Sequence, residues 1–416
     1  MTRQGIEGVR AGGPEDAVCG VVPARAARPR DVDGLAGLLA EAARNGWSVA
    51  VRGGGTALDW GGRPASADLL VDTGGLVRID HDAGDLVVEV GAGTPVAELS
   101  AVLAKAGQRL SVDPVRAGGT VGGLLATGLA GPRRLLTGAL RDLVIGMTVV
   151  RPDGVVARSG GRVVKNVAGY DLAKLHVGGY GTLGVIASAA FRLHPLPPAL
   201  RLLELPLPSL AHAERRLTVL RASHAVPAAV ELDWPVEGRS RLRVVLEGTP
   251  EGVDSRAAGL LESLASGLPA GEVRVADRLP DDWGLLPAEG TLIRLSVPPA
   301  EAAAAAARAA ELGGAVDTDV RTTGSARAGA LVTAVPPGAS AAAVTVLLEG
   351  LRSHSGWTAT VVRAEEHLHA AGIDLWGEVP GLAVMRAVKD AMDPDHRMAP
   401  GRFVTGAPHT PREERP

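Results

Sequence analysis

The stretch of this chain with the clearest chemistry is Arg52-Gly53-Gly54-Gly55-Thr56. Three consecutive glycines remove every Cβ, so positive φ opens to the backbone and another group can approach closely. Successive N–H groups in such a loop can converge as a nest on an anion. Arg52 adds positive charge and Thr56 a hydroxyl donor. The guest these residue types suit is a pyrophosphate. A plain Gly-rich turn would carry the same letters, but two further Gly-rich stretches, residues 117–131 and 177–186, favour the binding reading.

The elements around the loop must position it. Residues 49–51 are apolar and read as a short buried strand running straight into Arg52. A helix over 32–43, with Leu35, Leu38 and Leu39 at helical spacing, precedes it and ends at Asn45-Gly46. A first strand is expected at 18–22, and further short strands at 69–71, 77–80 and 86–90. Residues 120–129, TVGGLLATGL, begin on a hydroxyl and stay small. They read as a helix lying close to something flat or to another backbone, although tight helix packing uses Gly and Ala too. A strand over 143–151, a Pro152-Asp153-Gly154 turn and a strand over 155–158 form a hairpin. Residues 160–186 gather Lys165, Asn166, Tyr170, Asp171, Lys174 and His176 among glycines, which is more polarity than a structural loop needs.

Two dinucleotide-like patterns are decoys. Gly91-x-Gly93 sits between a strand and a helix over 95–106, with Asp113 about 20 residues on, but Val96 stands where the third glycine belongs. Gly179-x-Gly181-x-x-Gly184 is complete, yet it precedes a strand and presents no helix N-terminus to a phosphate.

The chain has 416 residues, 46% of them apolar, enough for two or three domains with proper cores. A net charge of −3 argues against nucleic-acid binding. Cys19 is the single cysteine, which excludes an internal disulfide and a cluster held by this chain's own thiolates. No apolar run reaches membrane-spanning length, and the first residues lack a signal-peptide core. The expectation is a cytoplasmic protein, or one peripheral to a membrane through partner subunits. Residues 1–16 and 406–416 read as disordered tails.

Around residues 195–198 a Pro-rich segment marks a domain boundary. Beyond it the apolar pattern alternates strand, helix, strand, strand, helix, strand, twice over, including a strand at 315–320. That pattern implies an antiparallel sheet with helices on one face. Glu365, Glu366, His367 and His369 have metal-ligand chemistry, but on a solvated segment they do not make a metal site. A last helix covers 382–392, and DPDHRMAPGRF follows it.

Four segments together resemble the flavoproteins with a vanillyl-alcohol-oxidase, or PCMH-type, FAD domain, and within them the FAD-binding subunits of bacterial glycolate oxidases. They are VRGGGTALDWGG from Val51, GGTVGGLLATGLAGPRR from Gly118, GGRVVKNVAGYDLAKLHVGGYGTLGV from Gly160 and MDPDHRMAPGRF from Met392. The resemblance implies an α+β fold: a two-subdomain FAD-binding domain over 17–195, an antiparallel cap domain over 199–378, and a segment over 379–405 returning to the first. It implies FAD as cofactor, with Arg52, Gly53, Gly54, Gly55 and Thr56 as the pyrophosphate loop. Pro114, Thr120, Gly122, Gly123, Thr127, Gly128 and Arg133 follow along the cofactor, and the Ile186 backbone meets the adenine end. Thr56 closes the loop and no histidine lies near it, so FAD should be held non-covalently. The HxGDGNxH-type motif of relatives that oxidise D-2-hydroxy acids is missing; residues 321–334 read RTTGSARAGALVTA. The catalytic residues are therefore unknown, and a general base is not visible. The function implied is an oxidoreductase subunit of a glycolate or D-2-hydroxy-acid dehydrogenase complex, relaying electrons to a larger flavoprotein subunit and an iron–sulfur subunit. The alternatives are a stand-alone FAD oxidoreductase with Arg133, Lys165 or Tyr170 near the flavin, and a non-catalytic assembly subunit.

Overall fold

The computed structural model describes residues 8–162, 170–235, 240–264 and 272–403. Lys165 and Asn166 lie outside the described residues, as do residues 1–7 and 404–416.

The first sheet has strands in the order Val9–Ala11, Arg25–Ala27, Leu69–Asp72, Val49–Arg52. Its inner pairings are parallel, which requires crossovers. The helix Val32–Arg44 provides one, capped by Asp31, whose Oδ1 accepts from Gly34 N at 2.7 Å. Leu35, Leu38 and Leu39 are buried against Val49, Leu69 and Val71, each contributing roughly 2 kcal/mol by burial. The C-terminal segment extends this sheet: Val49 N donates to Arg397 O and Ala399 N to Val49 O, both at 2.8 Å.

Two expectations fail here. Residues 8–16 are not a disordered tail; they form the Val9–Ala11 strand and a 3-10 turn at Pro14–Asp16. The cause is Asp16, which is buried, accepts both Arg10 Nη atoms at 2.6 and 2.8 Å, and pairs with Arg52 at 3.2 Å. The strand expected at 18–22 is a single bridge between Val18 and Val21. Cys19 and Gly20, at φ 48° and 76°, turn the chain there, and the strand comes instead at Arg25–Ala27.

The second sheet is antiparallel, ordered Ile79–Asp82, Val87–Gly91, Val185–Arg192, Val144–Val150, Val156–Gly160. The helices Val96–Lys105 and Val121–Thr127 pack on it through Leu99, Leu103, Val121 and Leu125. The decoy glycines have a structural role. A Cβ at Gly93 would sit 2.0 Å from Thr73 O, and one at Gly91 2.2 Å from Leu76 O, so both let a neighbouring backbone approach.

Beyond residue 198 eight strands form one antiparallel sheet, in the order Arg274–Ala276, Ala199–Pro206, Arg241–Gly248, Ala229–Pro235, Arg321–Ser325, Ala330–Val335, Thr291–Ser296, Thr358–Arg363. The helices Leu210–Ala222, Pro250–Leu264, Ala302–Ala315 and Ala341–Arg352 share one core with it. This is the twice-repeated pattern that the alternation implied, and the chain is α+β. The strand expected at 315–320 is displaced to Arg321–Ser325. The alanine-rich helix runs on to Ala315, and Gly313 stays bare because a Cβ there would meet Thr318 O at 2.7 Å. Along Ala229–Pro235, Val230 and Leu232 face the helices. Strand alternation therefore points Glu231 and Asp233 the other way, toward the first domain.

An apolar cluster of Trp60, Leu129 and Tyr180 with Leu292 and Val362 joins the two domains. Buried ion pairs lie at the same junction: Arg133 and Arg109 both reach Glu247 across it.

Candidate cofactor cleft

A cleft opens where the glycine loop, the helix Val121–Thr127 and the 180–186 segment converge. Gly53, Gly54, Gly55 and Thr56 form one wall, Thr120, Gly122, Gly123 and Thr127 a second, and Ile186 a third. The structure thus brings together nine of the thirteen residues singled out for the cofactor. Pro114 lines an adjoining space that shares Thr56, Thr120, Gly123 and Thr127 with the cleft.

The loop is shaped by close approach. A Cβ at Gly53 would lie 2.2 Å from Thr120 Oγ1, and one at Gly54 2.4 Å from Gly118 O. Gly55 has φ 77°, a conformation that L side chains seldom adopt. Among the described residues, no chain acceptor takes the N–H groups of Gly53, Gly54, Gly55, Thr56 or Ala57. Five consecutive donors without a chain partner at a cleft are available to an anion. Thr120 caps the next helix, its Oγ1 accepting from Gly123 N at 3.3 Å. Gly122 lets that helix approach the strand beneath it, since a Cβ there would lie 2.9 Å from Ala92 O, and Gly123 leaves the helix bare beside Thr120. These features fit a dinucleotide: donors for a pyrophosphate and bare walls where rings pass.

The remaining three residues are elsewhere. Arg52 turns out of the cleft and pairs with Asp16 and Asp72, each at 3.2 Å, so its charge is already balanced. Gly128 is the C-cap of the helix at φ 63°, where a Cβ would strike Gly178 Cα at 2.8 Å; it seats the 177–184 loop. Arg133 donates its backbone N to Asp113 Oδ2 at 2.8 Å and its side chain to Asp113 and Glu247. Of the other polar groups of 160–186, Tyr170 is 92% exposed. His176 is buried and its pKa is pushed down to about 4 by that burial, which keeps it neutral.

Sequence reasoning missed the residues that complete the cleft, among them Tyr180, Gly181, Gly184 and Arg402. Gly181 and Gly184 belong to the second decoy, so the pattern marked a ligand wall for a reason other than helix presentation. Tyr180 holds φ 51°, a costly state for a bulky residue. Its N–H donates to Ala126 O at 2.9 Å, and its ring lies 5.7 Å from Phe403. Arg402 is buried, with Nη2 on Trp60 O at 2.7 Å and Nε on Gly62 O at 3.1 Å. Among the described residues no carboxylate lies within ion-pair distance of it. The positive charge expected from Arg52 is therefore supplied at the cleft by Arg402, from the far end of the chain. The bulge between Ile186 and Ser188 re-aims the strand beside the cleft, as bulges next to binding sites do.

Residues 23–160 match the family model described as an FAD binding domain. This chain carries an FAD-binding domain. In the structure that domain continues past the matched residues to the Val185–Arg192 strand. The chain is 44% identical to the glycolate oxidase subunit GlcE of Escherichia coli over 123 residues, 29% of this chain and 35% of that protein. It is 30% identical to the D-lactate dehydrogenase of Archaeoglobus fulgidus over 254 residues, 58% of this chain and 57% of that one. Against the glycolate oxidase subunit GlcD of Bacillus subtilis it is 31% identical over 212 residues, 50% of this chain and 45% of that. The matches thus span between a third and rather more than half the length of these relatives. A solved alkyldihydroxyacetonephosphate synthase superposes with a TM-score of 0.67 at 17% identity, covering 91% of this chain and 76% of that one. The fold is the PCMH-type FAD-binding fold with its antiparallel second domain. FAD, when bound, supplies a two-electron acceptor. The chain's own groups offer the donors, the bare walls and the buried cation that would hold it.

Among the described residues no group of three or more His, Cys, Asp or Glu is placed to hold a metal. Glu365 instead accepts from Gly338 N at 3.0 Å and His367 Nε2 lies 2.9 Å from Ala339 O.

Proposed function

We propose that this chain is an FAD-binding oxidoreductase subunit of a glycolate or D-2-hydroxy-acid dehydrogenase complex. It holds FAD non-covalently and relays electrons to a larger flavoprotein subunit and an iron–sulfur subunit. The observation that carries the cofactor reading is the row of five unclaimed N–H groups from Gly53 to Ala57 facing small-residue walls. The loop closes on Thr56 without a histidine, which supports the non-covalent mode. Membership of a complex is supported by relatives whose names make them glycolate oxidase subunits. One cysteine cannot ligate a cluster, so one-electron carriers belong to another protein. Among the described residues no helix is long and apolar enough to cross a membrane; partners would supply any membrane contact, with this chain on the cytoplasmic side.

A second reading, in which this chain itself binds and oxidises the acid, is favoured by the charged cavity between the domains.

The test begins with the visible spectrum of the purified chain, before and after acid precipitation. All flavin should appear in the supernatant. Flavin in the pellet overturns non-covalent binding, and a colourless chain that takes up no added FAD overturns the cofactor. Glycolate turnover should require the two partner subunits. A chain that alone oxidises glycolate or D-lactate with oxygen at about 1 per second or faster overturns the relay.

A further inference from the structure

A cavity of about 340 Å³ lies between the helix-free face of the eight-stranded sheet and the 129–134 segment of the FAD domain. It shares Val115 with the space beside Pro114, which in turn shares Thr56, Ala57 and Thr120 with the glycine-lined cleft. The three are thus neighbours.

The cavity walls hold four arginines. Arg321 is committed to Asp233 at 2.6 Å and Arg243 to Glu204 at 2.9 Å. Arg134 and Arg294 have no hydrogen-bond or ion-pair partner for their guanidinium groups among the described residues, and the charge of Arg294 acts on Arg134. Two like charges thus line one cavity. Across from them Glu231 Oε1 is buried without a hydrogen-bond partner, and so is Oγ of Ser325, its directly opposite neighbour on the next strand. Ser325 is only 2% exposed. Trp283 Nε1, on the cavity rim, is likewise buried and unpartnered. Unmet buried polar groups are costly and rare. Here they cluster with two unpaired cations in one cavity.

We propose that this cavity binds a small 2-hydroxy- or 2-oxo-carboxylate, its carboxylate between Arg134 and Arg294 and its second oxygen on Glu231 and Ser325. The assignment rests on the reading of the chain as a hydroxy-acid flavoprotein. Cations of complementary geometry favour an anion, and charge-assisted hydrogen bonds make the contact strong. Glu231 serves as a donor rather than a second charge. Burial, then the neighbouring Asp113, push its pKa up to about 8 against the pull of Arg134 and Arg243. The charged groups facing it are Asp113 from the FAD domain, Arg134 from the helix Arg134–Thr137 and Arg243 from the adjacent strand. Asp233, on its own strand, is paired with Arg321. A neutral carboxyl at pH 7 can donate to the ligand's hydroxyl or carbonyl oxygen without repelling its carboxylate.

The test is calorimetric titration of the flavin-loaded full chain with glycolate, with ethylene glycol as the neutral control. Wild type should bind glycolate and not the diol. Arg134→Gln and Arg294→Gln should each weaken binding about tenfold or more, with flavin content unchanged. Glu231→Gln keeps a donor and removes the titrating group. Wild-type affinity should fall about fivefold between pH 8 and pH 9, as the protonated fraction of one group titrating near 8 does, and Glu231→Gln should lack that fall. A flavin-loaded wild type that shows no binding at about 1 mM glycolate, or arginine variants that bind as tightly as wild type, would overturn the assignment while leaving the FAD reading standing. A chain that binds glycolate through these residues but passes no electrons to partners would fail the relay reading and leave the cavity assignment intact.

Discussion

Arg133 of the FAD domain donates through Nε to Glu247 Oε1 of the second domain at 3.0 Å, and Arg109 donates to the same oxygen at 2.9 Å. Two cations of one domain thus converge on a single carboxylate of the other, with Asp113 balancing Arg133 from its own side. The side chain of Glu247 is 5% exposed. The residue expected to line the cofactor is instead part of the joint between the domains.

Glu247→Ala should therefore loosen that joint. Removing one partner of a buried ion network leaves uncompensated charge and costs about 3 to 5 kcal/mol. A urea titration should show the loss as a lower midpoint, while flavin content of the folded protein at low urea stays near wild type. Burial raises the Glu247 carboxyl, but hydrogen bonds and charge from Arg109 and Arg133 outweigh it, so the net shift is downward. A group with a depressed folded pKa stabilises above its unfolded pKa and loses that contribution as pH falls below it. The wild type should lose stability on acidification below the ordinary glutamate range more steeply than Glu247→Gln does.

Lys389 and Asp393 pin the C-terminal helix to the FAD domain. Lys389 Nζ lies 2.5 Å from Asp393 Oδ2, 2.7 Å from Thr182 O and 3.0 Å from Met398 O, and the pair is almost fully buried. Lys389→Ala should destabilise by about 3 to 5 kcal/mol. It should also release the segment carrying Met398 and Arg402, read as new protease cleavage after residue 392. A variant with wild-type protease resistance would contradict the pinning role.

Gly54 and Gly55 should respond differently to substitution. A Cβ at Gly54 meets a fixed backbone carbonyl, Gly118 O, so Gly54→Val should lose FAD from a chain that stays folded. At Gly55 the space is open and only the φ of 77° is demanding, a conformation asparagine tolerates. Gly55→Asn should retain most of its flavin, as measured by the ratio of absorbance near 450 nm to protein. Equal loss at both positions would mean that steric approach does not shape the loop.

Arg402→Gln should weaken FAD binding more than Arg52→Gln, by about tenfold against about twofold. Arg402 sits at the cleft without a carboxylate partner, whereas the charge of Arg52 is consumed by Asp16 and Asp72. Arg52→Gln should act on the N-terminal strand instead. The Asp16 carboxyl is lowered to about 2, chiefly by its hydrogen bond to Arg10 and with Arg52 as a minor contributor. Its contribution is complete above the ordinary aspartate pKa and is lost as pH falls toward about 2. Fluorine or nitrogen NMR of residues 8–16 should show detachment at higher pH in the variant. Fluorometric titration of apoprotein with FAD checks the affinities.

What the sequence determined by itself was local and periodic. The apolar period placed the helix Val32–Arg44, the strand Val49–Arg52 and the doubled strand–helix pattern of the second domain. Consecutive glycines at 53–55 and the small residues from Thr120 to Thr127 marked the cleft, because bare backbone at close approach leaves its mark in residue type. Tertiary structure decided where the charges go. An arginine next to a glycine nest reads as an anion ligand until its partners are known, and those of Arg52 are 36 and 20 positions away, at Asp16 and Asp72. Arg402 enters the cleft only because the C-terminal segment adds itself to the edge of the first sheet at Val49. Glu231 and Arg294 share a cavity only because strand pairing aligns their faces and the second domain closes on the first. Side-chain ion pairs between residues far apart in the chain have no period and no local signature, so only the folded chain could assign them.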